Sequence, residues 1–203
     1  MKKAVFLVAA LVLLMLGACL AAGDNLLVDD FEGIISGGPD GTVDFGAGNG
    51  SVVQVSADTG IKNSGNQSLK VVYEALEGGY IYVARGYGLD AKNANWPIKP
   101  TDIKWGEYSG ISFYLYGTNS KAKIAFDIKD NGGEIWRFVT EDDFSGWKKI
   151  ICSFDKFIAR DDWQPMDADK NAQIDFPIRV FQFEPLPAGK GTLYFDTVEL
   201  IKK

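Results

Sequence analysis

The chain has 203 residues, of which 46% are hydrophobic and 13% aromatic, so it can bury the core of one domain. Its net charge of −6 argues against nucleic-acid binding, which depends on neutralising phosphates with Lys and Arg. The sequence contains no histidine, which excludes Ser-His-Asp and Cys-His catalysis and any zinc site with a histidine ligand.

Residues 1–18 have the pattern of an export signal. Two lysines precede an apolar run that ends in the small residues of LGAC, and this run is shorter than the ~20 apolar residues of a membrane span. LGAC resembles the lipobox of bacterial lipoproteins, which implies that Cys19 is acylated and anchors the protein to the cell envelope, in the periplasm or at the cell surface. Cleavage a few residues later would instead give a freely secreted protein. Residues 19–25 then form a short tether.

From residue 26 onward, short segments rich in Val, Ile, Phe and Tyr alternate with clusters of Gly, Asn, Asp and Pro. This pattern predicts strands joined by turns, and no long stretch shows the 3.6-residue apolar period of a helix. The predicted strands are 26–32, 51–56, 68–75, 79–85, 110–116, 122–129, 134–140, 147–153, 178–184 and 192–201. We therefore predict one all-β domain over residues 26–203, an antiparallel β-sandwich of jelly-roll type with about ten strands. The Gly-rich stretch 36–50 and the polar stretch 161–175 are predicted surface loops.

The pairing register of one predicted hairpin, whose loop contains the Asn-Gly-Gly stretch 131–133, can be worked out from the sequence. With a three-residue loop at this point, Asp127 lies opposite Arg137 on one face and apolar residues pair on the other. A two-residue turn would instead place Arg137 opposite Phe126 in the core, where a charge is costly. The longer loop also supplies a glycine for a bulged turn and pairs opposite charges along the hairpin, so we prefer it.

Two tyrosines on the preceding strand extend this pattern. The strand at 110–116 buries alternate residues, which leaves Tyr114 and Tyr116 on its outer face. If this strand neighbours the hairpin, one sheet carries both tyrosines beside Asp127 and Arg137. Aromatic rings stack on the apolar faces of sugars, and carboxylate and guanidinium groups bind sugar hydroxyls. These four residues are therefore the candidate carbohydrate-binding set, and the alternative is a solvated face with ordinary cross-strand pairs.

Three further residues are candidates for the same site. Arg85 and Gln182 lie on predicted strands and could face the same sheet surface, although the segment around Gln182 can bury either of its two alternating sets of residues. Trp163 lies in a polar loop, where it could close over a ligand or cap one end of the core. Cys152 alternates with apolar residues, which predicts a buried and unreactive thiol.

Five motifs of this chain together carry a family resemblance. They are LLVDDFEG (26–33), SGNQSLKVVYE (64–74), WGEYSGISFYLYG (105–117), FSGWKKIICSFDKF (144–157) and GTLYFDTVEL (191–200). In this order they resemble the galactose-binding-like β-sandwiches, most of all the family 11 carbohydrate-binding modules. The complex I intermediate-associated family shares much of the pattern. The resemblance implies a concave sheet that holds a single β-glucan chain and performs no catalysis.

The same resemblance implies a structural calcium ion. In this group the first and last strands commonly lie side by side and share the ion. The matching groups here are Glu32 and Asp196, with Asp30 as a further candidate and backbone carbonyls from the loop before Ser68 as additional ligands. A hard cation would offset the repulsion between these carboxylates. The alternative is that they are solvated at a sheet edge, where charge discourages edge-to-edge pairing.

The sequence thus predicts an exported protein that binds a polysaccharide or oligosaccharide without cleaving it. A glycoside hydrolase needs two carboxylates across a cleft, and this chain has no strand with alternating acids of the type E-x-D-x-E. A structural or assembly lipoprotein that uses the same face for a protein partner is the other alternative, since tyrosine and arginine also dominate protein interfaces.

Overall fold

A computed structural model describes residues 25–203, which form twelve β-strands and three short 3-10 helices. The strands are β1 (Leu26–Asp29), β2 (Asp44–Gly48), β3 (Val52–Asp58), β4 (Ser68–Ala75), β5 (Tyr80–Gly86), β6 (Tyr108–Thr118), β7 (Lys123–Lys129), β8 (Ile135–Glu141), β9 (Ser145–Ser153), β10 (Ile158–Ala159), β11 (Val180–Pro185) and β12 (Gly189–Lys202). The 3-10 helices are Pro100–Asp102, Trp105–Glu107 and Phe154–Lys156. Within residues 25–203, no helix is long and apolar enough to span a bilayer.

The strands form two sheets of six strands each. Sheet A has the order β3-β4-β12-β6-β9, with β1 added along β12, and sheet B has the order β10-β8-β7-β11-β5-β2. All of these pairings are antiparallel. The predicted antiparallel β-sandwich is therefore confirmed. The first and last strands lie side by side, with Leu26 opposite Leu200, as the family resemblance implied.

The core lies between the two sheets and is rich in aromatic side chains. On β6 the alternate residues Ile111, Phe113 and Leu115 are buried, as the sequence pattern predicted. Across the sandwich, Phe195 of sheet A stacks on Phe183 of sheet B with ring centroids 3.8 Å apart. Each fully buried side chain of this kind contributes about 1.5–3 kcal/mol relative to exposure. Cys152 is buried as well, and burial raises the pKa of its thiol, so the thiolate is disfavoured.

The β7–β8 hairpin has the predicted register. Asp127 lies opposite Arg137 and Phe126 lies opposite Phe138. Gly133 in the connecting loop has a φ of +86°, a left-handed conformation that glycine adopts without steric cost. The preference for the longer loop is therefore confirmed.

Two short strands at the edges of sheet B were not predicted from the sequence. β2 lies inside the stretch 36–50 that was predicted as a loop, because its sequence DFGAG has glycine at two alternate positions and offers little apolar periodicity. β10 has only two residues, which is too short for any periodicity.

The expectation that β6 neighbours the hairpin is wrong. β6 lies between β12 and β9 in sheet A, whereas β7 and β8 belong to sheet B. Tyr114 and Tyr116 therefore lie on the outer face of sheet A, on the opposite side of the sandwich from Asp127 and Arg137. Alternation along a strand shows which residues face outward, but it does not show in which sheet the strand lies.

A candidate carbohydrate-binding groove

One residue from each strand of sheet B forms a row across its outer face. From β10 to β2, the register places the following residues opposite one another: Ile158, Arg137, Asp127, Gln182, Ala84 and Asp44. Because the inner face packs against sheet A, these side chains point to the outer face. Arg137, Gln182 and Asp44 are partly exposed there, whereas Asp127 and Ala84 are buried beneath their neighbours. The row is polar in its centre, where Asp127 and Gln182 lie side by side.

Five charged residues are joined in the centre of this face, and we call them the ion network. Arg137 donates to Asp127 from Nε to Oδ1 at 2.9 Å and from Nη2 to Oδ2 at 2.8 Å, and its Nη2 donates to Glu184 at 2.6 Å. Arg160, just after β10, donates to Asp127 at 3.2 Å and to Glu184 at 2.9 and 3.3 Å. Arg160 also forms a bidentate pair with Asp162 at 2.6 and 2.9 Å. These charge-assisted bonds hold the side chains in a fixed geometry.

The ion network contains three carboxylates and two guanidinium groups, so carboxylates are in excess by one. Burial opposes the charge of Arg137, but the hydrogen bonds and charge of Asp127 raise the pKa of its guanidinium above the ordinary value. Hydrogen bonds from Arg160 lower the pKa of Asp162. Burial raises the pKa of Glu184, against the opposing effect of the two arginines. The network therefore neutralises both cations and leaves no excess of positive charge for an anionic ligand.

Aromatic side chains lie on both sides of the ion network. Tyr80 and Tyr82 alternate on β5, on one side of β11 and β7, and Trp163 follows β10 on the other side. Tyr80 is 49% exposed and Trp163 is 57% exposed. Burial, and then the charge of Asp44, raise the pKa of Tyr82, so its hydroxyl stays protonated. The rings thus offer apolar surfaces that a pyranose can cover.

The edge strand β2 supports the two tyrosines. Gly46 lies opposite Tyr82 and Gly48 lies opposite Tyr80. A Cβ atom added at these glycines would come within 2.9 Å and 2.3 Å of the respective rings. The rings therefore lie over backbone that lacks side chains, an arrangement in which an aromatic residue covers a glycine on the neighbouring strand.

Together these residues line a groove of about 580 Å³ on the outer face of sheet B. This volume lies within the range of small-molecule binding sites, which is about 300–1,000 Å³. The groove combines Tyr80, Tyr82 and Trp163 with the three carboxylates of the ion network and the guanidinium of Arg160. It offers ring-stacking surfaces at its sides and directed hydrogen bonds in its centre.

The structure brings four of the predicted site residues together at this groove. Asp127, Gln182 and Trp163 line it, and Arg137 is bonded to Asp127. The sequence left open which of the two alternating sets of β11 residues is buried. The structure buries Phe181 and turns Gln182 outward.

Arg85 does not belong to this group, and its assignment to the sugar-binding face is corrected. It lies opposite Phe181 on the inner face of sheet B and forms an ion pair with Asp29, with Nη2 and Oδ2 2.9 Å apart. Alternation along β5 turns Tyr82 and Ala84 outward and therefore turns Arg85 inward. Its charge is tolerated there because Asp29 is buried beside it.

The acids proposed to share calcium are each bonded to backbone N–H groups. Asp196 accepts hydrogen bonds from the N–H groups of residues 63 and 64 at 2.8 and 3.1 Å. Glu32 accepts them from residues 66 and 67, which lower the pKa of its carboxyl, and Asp30 accepts one from Glu32. Calcium takes six to eight oxygen ligands. Within residues 25–203, no three or more His, Cys, Asp or Glu side chains are grouped to hold a metal ion, and the backbone carbonyls of the predicted site are not part of such a group. Calcium stays a prediction.

Sequence reasoning missed five residues at the groove: Tyr80, Tyr82, Arg160, Asp162 and Glu184. Two signals were available in the sequence. Tyrosines alternate with buried residues in the segment YIYVA, and Glu184 alternates with Gln182 on the same strand. Arg160 and Asp162 gave no periodic signal, because they follow a strand of two residues and depend on tertiary contacts for their position.

Comparison with known proteins agrees with the β-sandwich fold. Residues 19–203 match the family model described as a carbohydrate binding domain of family 11. The chain belongs to this family. It is therefore a non-catalytic carbohydrate-binding module, and the expectation that it is not an enzyme is confirmed.

The family 11 module is similar to parts of larger proteins. It is 28% identical over 189 residues to Endoglucanase H of Acetivibrio thermocellus, which covers 89% of this chain but only 18% of that protein. The module has the fold of the family 11 module from Clostridium thermocellum in complex with a β-1,3-1,4-mixed-linked tetrasaccharide, with a TM-score of 0.67, 23% identity and coverage of 88% and 95% of the two chains. The family 11 module of the cellulase Lic26A-Cel5E of the same organism is similar with a TM-score of 0.67 and 22% identity, and the match covers 89% of this chain and 95% of that module.

Proposed function

We propose that the groove on sheet B binds one chain of a neutral β-glucan and does not cleave it. The observation that carries this proposal is the combination, in a single groove, of exposed aromatic rings with a fixed network of hydrogen-bonding groups. A pyranose ring presents an apolar face and a rim of hydroxyls, so it needs both kinds of surface at the same time. The tetrasaccharide bound by the family 11 module of Clostridium thermocellum supports a glucan as the ligand class.

The positions of the aromatic residues indicate how the chain lies. Neighbouring strands are about 4.8 Å apart, so the distance from β5 to β10 across sheet B is about 19 Å. A sugar chain that crosses the strands contacts Tyr82, then the ion network, then Trp163. Sugar hydroxyls both donate and accept hydrogen bonds, so they can bond the exposed carboxylate of Asp162 and the partly exposed amide of Gln182, while the buried members of the network hold these groups in place.

The charge of the groove favours a neutral ligand. Carboxylates exceed guanidinium groups by one in the ion network, and Asp44 adds a further carboxylate to the lining. Lys129 also lines the groove, so its four carboxylates (those of the ion network and Asp44) exceed the three cations Arg137, Arg160 and Lys129 by one, and the repulsion of a uronic acid residue is offset only in part. Neutral glucans carry no such cost.

The test is calorimetric titration of the module with soluble mixed-linkage β-glucan, xylan and mannan. We expect binding to the β-glucan, with no new reducing ends after long incubation. Trp163→Ala should weaken this binding about fivefold or more, which corresponds to about 1 kcal/mol of lost ring contact. Trp163→Phe should retain most of the affinity. Because Trp163 is largely exposed, both variants should melt like the wild type.

The matched control is Tyr114→Ala, which removes a tyrosine from the outer face of sheet A. It should leave the affinity for the glucan unchanged. Equal affinity of Trp163→Ala and the wild type would refute the placement of the site. No binding to any of the three polysaccharides would refute the function and favour a protein partner.

The place of action in this proposal is the bacterial cell envelope. The export signal 1–18 and Cys19 lie outside the described residues, so this part rests on the sequence pattern. Full-length protein expressed in a bacterial host should sediment with the membrane fraction, and Cys19→Ser should shift it to the soluble exported fraction. Equal amounts of both proteins in the soluble fraction would refute the lipid anchor.

A further inference from the structure

The outer face of sheet A carries three aromatic residues in one row. Tyr194 of β12 lies opposite Tyr116 of β6, and Tyr116 lies opposite Trp147 of β9. The ring centroids are 5.9 Å apart for the first pair and 5.4 Å apart for the second, and both pairs meet edge to face. We call these three residues the aromatic row. It lies on the opposite side of the sandwich from the groove.

The aromatic row is fixed in place and partly exposed. Edge-to-face contact with both neighbours restrains Tyr116, and none of the three rings is fully buried. Lys70 extends the row on β4, with its ammonium 5.7 Å from the ring centroid of Tyr194 and 3.3 Å from the carboxylate of Asp58. The one cation of this row is therefore already paired. Restrained rings lose little entropy when a ligand covers them.

A second row of uncharged side chains runs beside the aromatic row. It includes Gln54, Val72 and Thr192, which are paired across β3, β4 and β12, and Ser145 on β9. Hydroxyl and amide groups thus lie next to aromatic rings on the same surface, with no unpaired charge in either row. This is again the chemistry of a neutral sugar, which stacks on rings and exchanges hydrogen bonds with uncharged polar groups.

We infer that the aromatic row is a second contact surface for a neutral glycan chain, separate from the groove. The inference rests on the proposed function, because it takes the same class of ligand. Sheets in a sandwich pack about 10 Å apart, and the two surfaces face in opposite directions, so they contact different chains or different segments of the polysaccharide. The groove supplies most of the affinity. The row then acts at the raised local concentration that binding at the groove creates.

The experiment uses two tryptophans as separate reporters in one sample. Trp163 reports the groove and Trp147 reports the aromatic row, and their indole N–H signals in a 15N-labelled module are assigned by the loss of one signal in Trp163→Phe and in Trp147→Phe. The probe is a β-1,3-1,4-linked glucotetraose, added up to millimolar concentration. We expect the Trp163 signal to shift first and the Trp147 signal to shift at a concentration tenfold or more higher.

Each outcome decides between the two proposals. A shift of Trp163 alone would overturn the second surface and leave the groove intact. A shift of Trp147 alone would support the second surface and overturn the groove, and no shift of either would overturn both. A Trp147 signal that depends on protein concentration rather than on the sugar would show a second copy of the chain on the row, which also overturns the proposal.

The consequence for polysaccharide binding gives an independent readout. Trp147→Ala should reduce retention of the module in a gel that contains mixed-linkage β-glucan by about threefold, while its affinity for the tetrasaccharide at the groove stays within twofold of the wild type. Trp147→Phe, which keeps an aromatic ring in the row, should restore most of the retention. If Trp147→Ala migrates like the wild type in the glucan gel, the row does not contact the polymer.

Discussion

The buried pair of Asp29 and Arg85 predicts how the stability of this module depends on pH. Asp29 is 2% exposed and Arg85 is 9% exposed. One oxygen of Asp29 accepts the N–H of Phe31 at 3.0 Å, and the other contacts the guanidinium of Arg85 without an aligned hydrogen bond among the described residues. Burial therefore costs the carboxylate more than Arg85 offsets. The pKa of Asp29 is raised from 3.8 to about 6, with burial as the main cause.

The sign of the effect follows from this pKa. Because the pKa of Asp29 is higher in the folded state than in the unfolded chain, its contribution to stability is complete below about pH 3.8 and is lost as the pH rises through about 6. A difference of about two pKa units corresponds to about 3 kcal/mol of unfolding free energy. In a domain of this size, 3 kcal/mol moves the melting temperature by roughly 6–12 °C.

The perturbation is Asp29→Asn, which keeps the shape of the side chain but cannot ionise. The free energy of unfolding is measured by urea titration of the wild type and the variant between about pH 4 and about pH 8. All other groups titrate in both proteins, so their difference isolates Asp29. We expect the variant to gain about 3 kcal/mol relative to the wild type across this range.

The control is Asp155→Asn, at an acid whose side chain is 72% exposed, where the same substitution should change the free energy of unfolding by less than about 0.5 kcal/mol. A variant Asp29→Asn that loses stability relative to the wild type as the pH rises would refute the reasoning. It would show that Arg85 stabilises the carboxylate more than burial destabilises it.

Three further predictions concern hydrogen bonding, calcium and the groove. Asp142 is buried and accepts hydrogen bonds from the β6–β7 turn, so Asp142→Ala should lose roughly 1–3 kcal/mol in urea unfolding; no loss would show that water replaces the carboxylate. If Asp196 shares a calcium ion, a chelator should lower the melting temperature of the wild type and have little effect on Asp196→Asn, whereas an equal loss in Asp196→Asn with calcium and with a chelator would show that the acid acts through its backbone N–H partners alone. Gly46→Ala should displace the Tyr82 ring and lower the affinity for glucan, measured by calorimetric titration, severalfold. Gly33→Ala, at a glycine with open space around it, should leave the affinity unchanged. Equal affinities of the two variants would refute the role of the Tyr82 ring.

Local sequence patterns predicted much of the fold. The β7–β8 register follows from alternating apolar residues, opposite charges and a glycine-containing loop, all within about twenty residues of one another. β4 was predicted with its observed bounds, residues 68–75. β2 was not predicted, because glycine carries no side chain and a strand rich in glycine lacks the apolar alternation by which strands are recognised.

Local sequence patterns did not predict which residues share the candidate site. Sequence alternation placed Asp127, Arg137 and the tyrosines of β6 on outward faces, and all of them face outward. It did not decide which sheet each strand joins. β6 pairs with β12 and β9 rather than with the hairpin that follows it, and Arg160 reaches the groove through bonds to residues 24 and 33 positions away.

What the sequence determined by itself is therefore the set of strands, the face of most side chains, and membership of a family of non-catalytic sugar-binding sandwiches. What only the tertiary structure decided is which strands are neighbours, and hence which side chains share a surface. The physical reason is that the face of a strand is set by its own period of two, whereas its neighbours are chosen by packing and hydrogen bonds between segments far apart in the chain.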